Sequence, residues 1–199
     1  MSSRKVATSI LALLMLLPIV ASAHSGNDGS GFVAGFLHPI FGYDHLLAML
    51  SVGIVSAQLG GRAIWTVPSL FVTSMVVGGA LGVMQVAFPL VEEGVALSVI
   101  ILGLGIIFSR QQRNVPLTML FVAFFGALHG HAHGVEMPNS ASPIYYSFGF
   151  VVSTSLIHLL GVLVGYTLTH QNRLQRGLTY LGAAVSGVGC FILVGLLTG

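Results

Sequence analysis

The chain alternates long apolar runs with short polar breaks, and the runs are about 20 residues long. That is the length an α-helix needs to cross a hydrocarbon layer about 30 Å thick. The pattern predicts six spans. The first starts near Gly31, is interrupted around His38–Gly42 and continues from Leu46 to Leu59; Gly60-Gly61-Arg62 is a turn. The second runs from Ile64 to Phe88, followed by the loop Pro89–Gly94. The third, Val95–Phe108, is short unless it borrows loop residues. Pro116 sits in the first turn of the fourth, where a missing amide costs nothing. That span ends near Gly134; Val135–Ser142 is a loop, the fifth span is Ile144–Leu168, and the sixth is Leu178–Leu197.

Composition agrees. Of 199 residues, 55% are hydrophobic and 6% charged, with a mean hydropathy of +0.96. Soluble domains carry about 25% charged residues, so the fold class expected is an all-α polytopic membrane protein. The 26 glycines suit close helix packing in lipid. A net charge of +2 makes no nucleic-acid surface. With one cysteine, Cys190, no intramolecular disulfide or thiolate cluster forms, and a packed, buried thiol is expected. The only lysine is Lys5, so no phosphate-binding G-x-x-x-x-G-K-[ST] loop exists beyond the N-terminal segment.

Residues 1–23 have the layout of a cleavable signal peptide: Arg4-Lys5, an apolar run from Val6 to Val20, then Ala21-Ser22-Ala23. Residues 24–30 follow as an extracytoplasmic tail, and 31–199 form the six-helix transmembrane domain. Cleavage after Ala23 would give His24 a free amine beside its imidazole, a pair able to chelate a divalent cation; the alternative is a plain polar tail. Every arginine after Arg4 falls in alternate loops (Arg62; Arg110 and Arg113; Arg173 and Arg176), opposite Asp28, Glu92, Glu93 and Glu136. By the positive-inside rule the arginine loops face the cytoplasm and the mature N-terminus faces out, in an inner membrane. Each half has three spans, so the halves have inverted topology, as in many carriers.

Ionisable groups inside apolar sequence mark function. His38-Pro39-Ile40-Phe41-Gly42-Tyr43-Asp44-His45 offers two imidazoles and a carboxylate. In an unbroken helix His38 and His45 would be roughly 10 Å apart along the axis, too far for one ion. Pro39 disfavours helix at His38, and Gly42 lets the chain turn, so a broken first helix is expected to bring His38 back toward Asp44 and His45. The alternative is a helix N-terminus with Asp44 as its dipole partner.

The second cluster closes the fourth span: His129-Gly130-His131-Ala132-His133-Gly134-Val135-Glu136-Met137-Pro138. A His-rich tract is a metal signal. His129 and His133 are four apart and share a helical face, whereas His131 points elsewhere; Glu136 and the Met137 sulfur follow. Both clusters fall on the outward side, and their convergence is an expectation. His158, midway along the fifth span, is either a second station for the ion or a hydrogen-bonded core histidine. His170 lies in a cytoplasmic loop, Trp65 reads as an interface anchor, and Met49, Met75, Met84 and Met119 as lipid-facing or core packing.

The H-P-x-x-G-x-D-H stretch at His38–His45 and the H-G-H-A-H-G-x-E-x-P stretch at His129–Pro138 resemble the HupE/UreJ family of hydrogenase and urease accessory proteins, along the whole length of the chain. The resemblance implies a secondary, ATP-independent permease for Ni²⁺ or Co²⁺ that supplies hydrogenase or urease. It carries metal roles onto His38, Asp44, His45, His129, His131, His133 and Glu136. No resident cofactor is expected, only the transported ion, with Zn²⁺ as a further candidate; a homo-oligomer is compatible with this reading. From the residues alone, an intramembrane zinc-dependent hydrolase and a bis-histidine haem protein remain alternatives.

Overall fold

The computed structural model describes residues 29–108, 114–138, 141–171 and 175–199. The signal-type segment, His24, Asp28, Arg110, Arg113 and Arg173 lie outside the described residues. Within them the chain forms seven helices and no strand: α1 Gly29–Phe41, α2 Tyr43–Leu59, α3 Ala63–Val83, α4 Val91–Phe108, α5 Val115–Val135, α6 Pro143–His170 and α7 Gln175–Thr198. Five are long and apolar enough to cross a membrane, and the pair α1–α2, bent by 79°, passes the same test when taken together, as a broken span or a re-entrant loop. The protein is an all-helical polytopic membrane protein.

The first span breaks at one residue rather than across His38–Gly42. α1 runs through Pro39 to Phe41, and Gly42 alone leaves the helical region with φ −80° and ψ 103°. Pro39 sits in the last turn, where its missing amide removes one hydrogen bond, and the turn still closes through Gly42 N–H to the His38 carbonyl at 3.3 Å. The backbone angles at Gly42 suit any residue; what favours glycine is space, since a Cβ there would lie 3.1 Å from His45 Nδ1.

The second span is shorter than the apolar pattern implied. α3 stops at Val83, and Gln85, with φ 57°, turns the chain while its side-chain amide donates to the Gly82 carbonyl at 3.2 Å. Met84–Phe88 is apolar but not helical, so hydropathy alone overran the end. The third span does borrow its loop: α4 starts at Val91 with Glu92 and Glu93 in the first turn, where the helix dipole favours carboxylates. Asn114 caps α5 by accepting from Leu117 N–H at 3.0 Å, ahead of Pro116. α6, with 28 residues, spans about 42 Å, more than the hydrocarbon thickness.

α2 is the central helix, and every residue from Ser51 to Leu59 is buried. Around it α3 packs on α5, α4 on α7, and both α1 and α2 on α6. Glycines set the two contacts that carry histidines. A Cβ on Gly130 of α5 would collide with the Met75 carbonyl of α3, and one on Gly53 of α2 with the His158 carbonyl of α6. Backbone thus meets backbone beside both helices' imidazoles. Trp65 is exposed as an interface residue would be; Met49 and Met75 are buried, and Met84 is exposed. Cys190, expected buried, is exposed on the outer face of α7, because α4 packs against the neighbouring Gly189 instead.

Candidate metal site

At the end of the bundle where α1 meets α2, three elements converge: the α1–α2 bend, the C-terminal turns of α5, and the start of α6. His38 Nε2 lies 3.0 Å from Glu136 Oε2. The His133 ring stands 4.7 Å from His38 and 4.0 Å from His45 between centroids, and its Nδ1 is 3.8 Å from Glu136 Oε2. The two sequence clusters therefore meet, with His133 between the two imidazoles of the first. His129, one turn deeper, is 5.2 Å from the His45 ring. His38 and His45, expected near one another, both pack against the His133 ring of α5.

His38, His133 and Glu136 each offer one ligand atom, and these atoms lie within 4.8 Å of one another. Bonds of about 2.1 Å place ligand atoms at most about 4.2 Å apart across one ion, so closing around it needs only a sub-ångström adjustment. The hydrogen bond with His38 holds the Glu136 carboxyl below the usual carboxylate range, outweighing its partial burial.

The surrounding groups orient the imidazoles. Asp44 Oδ1 accepts from His45 Nδ1–H at 2.7 Å and from the His45 backbone N–H at 2.8 Å, the carboxylate–histidine pairing that frees Nε2 as a ligand. His129 and His158 donate Nδ1–H to the carbonyls of Phe125 and Thr154, each at 2.8 Å. That fixes their tautomers and leaves Nε2 with a bare lone pair. The Nε2 atoms of His45, His129 and His158, and both nitrogens of His133, are buried without a hydrogen-bond partner among the described residues. An unsatisfied buried polar atom costs about 1–3 kcal/mol. So many on one set of imidazoles fits nitrogens that are ligands to a cation.

Not all candidates join the cluster. His131 faces the other side of α5, donating Nε2–H to the Val86 carbonyl at 2.6 Å with Phe88 against its ring. It lines a cleft of about 340 Å³ with Gln85, Glu92 and Glu136. His158 lies deeper, at the middle of α6. His170 is exposed in the last turn of α6. The sequence reading missed Tyr146 and Phe150. Phe150 packs 4.3 Å from the His133 ring, and Tyr146, 5.9 Å from His38, carries a buried hydroxyl without a partner. One turn apart on α6, they resemble any apolar-helix aromatics; only the Tyr hydroxyl hinted otherwise. Both also line an apolar cavity of about 510 Å³ between α3, α5 and α6 that reaches His133.

The comparisons agree with the motifs. The family model described as "HupE / UreJ protein" matches residues 11–192. The chain belongs to the HupE/UreJ family. It is also 38% identical over 195 residues to "Protein HupE" of Rhizobium leguminosarum bv. viciae, covering 98% of this chain and 100% of that protein. No solved structure matches it significantly. In this HupE/UreJ chain, both motifs supply residues to one end of the bundle.

Proposed function

We propose that this chain is a secondary permease that carries a divalent transition-metal ion, Ni²⁺ or Co²⁺, inward across the inner membrane for a metalloenzyme such as hydrogenase or urease. The observation that carries the reading is the meeting of His38, His133 and Glu136, from motifs far apart in the sequence, beside buried imidazole nitrogens with no hydrogen-bond partner among the described residues. Imidazole with carboxylate suits nickel and its neighbours. The charge pattern supports placing this end outside and the arginine loops inside.

In this reading the acidic cleft of Glu92, Glu136 and His131 gathers the hydrated ion, with His24 as a further capture ligand on the mature N-terminus. His38, His133 and Glu136 then replace part of its water shell, with His45, held by Asp44, and His129 next in line. The ion leaves inward past His158. At about 100 mV, inside negative, a divalent cation gains roughly 4.6 kcal/mol on entry. That suffices for more than a thousandfold accumulation without ATP, at about 1.4 kcal/mol per decade.

The test is flux. Purified protein in proteoliposomes should accumulate radioactive Ni²⁺ when an inside-negative potential is imposed. Bound metal without flux would overturn the permease reading.

A further inference from the structure

A side chain that no motif contains packs against both His129 and His158. Phe71, in the middle of α3, is 1% exposed. Its ring packs against both His129, at 5.4 Å between centroids, and His158, at 5.2 Å. Both imidazoles have Nδ1 engaged with their own helix and Nε2 bare and buried. A hydrocarbon ring, which offers a dehydrating cation no lone pair, thus packs against both candidate ligands.

The ring is held in place by backbone. A Cβ on Gly126 of α5 would lie 3.0 Å from the Phe71 carbonyl oxygen and 3.3 Å from its Cα and Cδ2. At this depth α3 and α5 approach closely, and a side chain at Gly126 would press on both the Phe71 backbone and its ring. A hydrophobic constriction of this kind closes a path by excluding water and the hydrated ion. Opening it needs the ring to turn or α3 to shift against α5, which is the kind of small helix movement that alternating access uses.

We propose that Phe71 is the gate between the outer histidine cluster and His158, positioned by Gly126 and binding no ion itself. This rests on the permease reading and adds the point at which the path is closed. The alternative role is simple core packing, in which case damage to Phe71 lowers binding and flux together.

The test measures Ni²⁺ binding by calorimetry and Ni²⁺ flux in proteoliposomes for wild type, Phe71→Trp and Phe71→Leu. The larger ring should leave binding near wild type and lower flux by about tenfold; the smaller side chain should leave binding intact and raise the flux of Mg²⁺, an ion that imidazole ligands do not favour. Phe71→Leu stands even if the core rejects tryptophan. The gate is overturned if the Leu variant matches wild type in flux and ion discrimination, or if flux falls only in step with binding. Wild type that binds Ni²⁺ without flux defeats the permease reading and the gate with it, whereas wild-type flux with unaltered variants defeats the gate alone.

Discussion

His38 in the first motif and Glu136 in the second, 98 positions apart, share a 3.0 Å hydrogen bond. The contact joins the last turn of α1 to the residue just past α5, and His133 completes the set. If these groups are ligands, removing either must weaken binding by more than the roughly 10–100-fold that loss of an outer-shell partner costs. His38→Ala and Glu136→Gln should both do so in Ni²⁺ titrations, while circular dichroism stays unchanged. Near-wild-type affinity in both variants would dissolve the site.

Asp44 plays a supporting part. Its carboxylate accepts from His45 Nδ1–H and so leaves Nε2 toward the cluster. Asp44→Asn keeps the shape and removes the charge that raises imidazole basicity. Affinity should fall roughly 10–100-fold, less than for His38→Ala, by the same titration.

Acid should release the ion. An imidazole must be neutral to bind a metal, and its ordinary pKa is about 6.5, so affinity and uptake should fall as external pH drops from about 7 to about 5.5. Glu136 does not set this window. Its carboxyl is held below the usual range by His38, so its stabilising charge is present above the unfolded pKa and is lost only as pH falls through the lower folded value. Uptake as strong at pH about 5 as at neutrality would contradict this expectation.

Gly130 tests the packing that places the histidines. It sits among His129, His131 and His133 on α5, with the Met75 carbonyl of α3 directly against it. Gly130→Ala must push the helices apart and should destabilise the protein by about 1–3 kcal/mol. A lowered thermal midpoint in detergent, together with weakened Ni²⁺ binding, is the expected outcome.

Much of this was legible beforehand because membrane sequence is sparse in polar groups. Six apolar runs marked the spans, and His38, Asp44, His45 and the α5 histidines stood out against them. Pairwise geometry was not legible. The spacing suggested a break from His38 to Gly42, yet α1 continues through Pro39 and the bend falls at Gly42. Hydropathy continues through Met84–Phe88, so nothing marked the left-handed turn at Gln85 that ends α3 and brings the Val86 carbonyl to His131. Phe71, Tyr146 and Phe150 matter through neighbours supplied by other helices, which no local pattern encodes.

The central claim is that one metal site, built from both motifs, serves inward transport. Its most direct test is radioactive Ni²⁺ flux into proteoliposomes under an inside-negative potential, for wild type, His38→Ala and Glu136→Gln. The account predicts potential-driven accumulation in wild type and its loss in both variants. Wild-type vesicles that bind Ni²⁺ but accumulate none, or variants that carry it as wild type does, would contradict it.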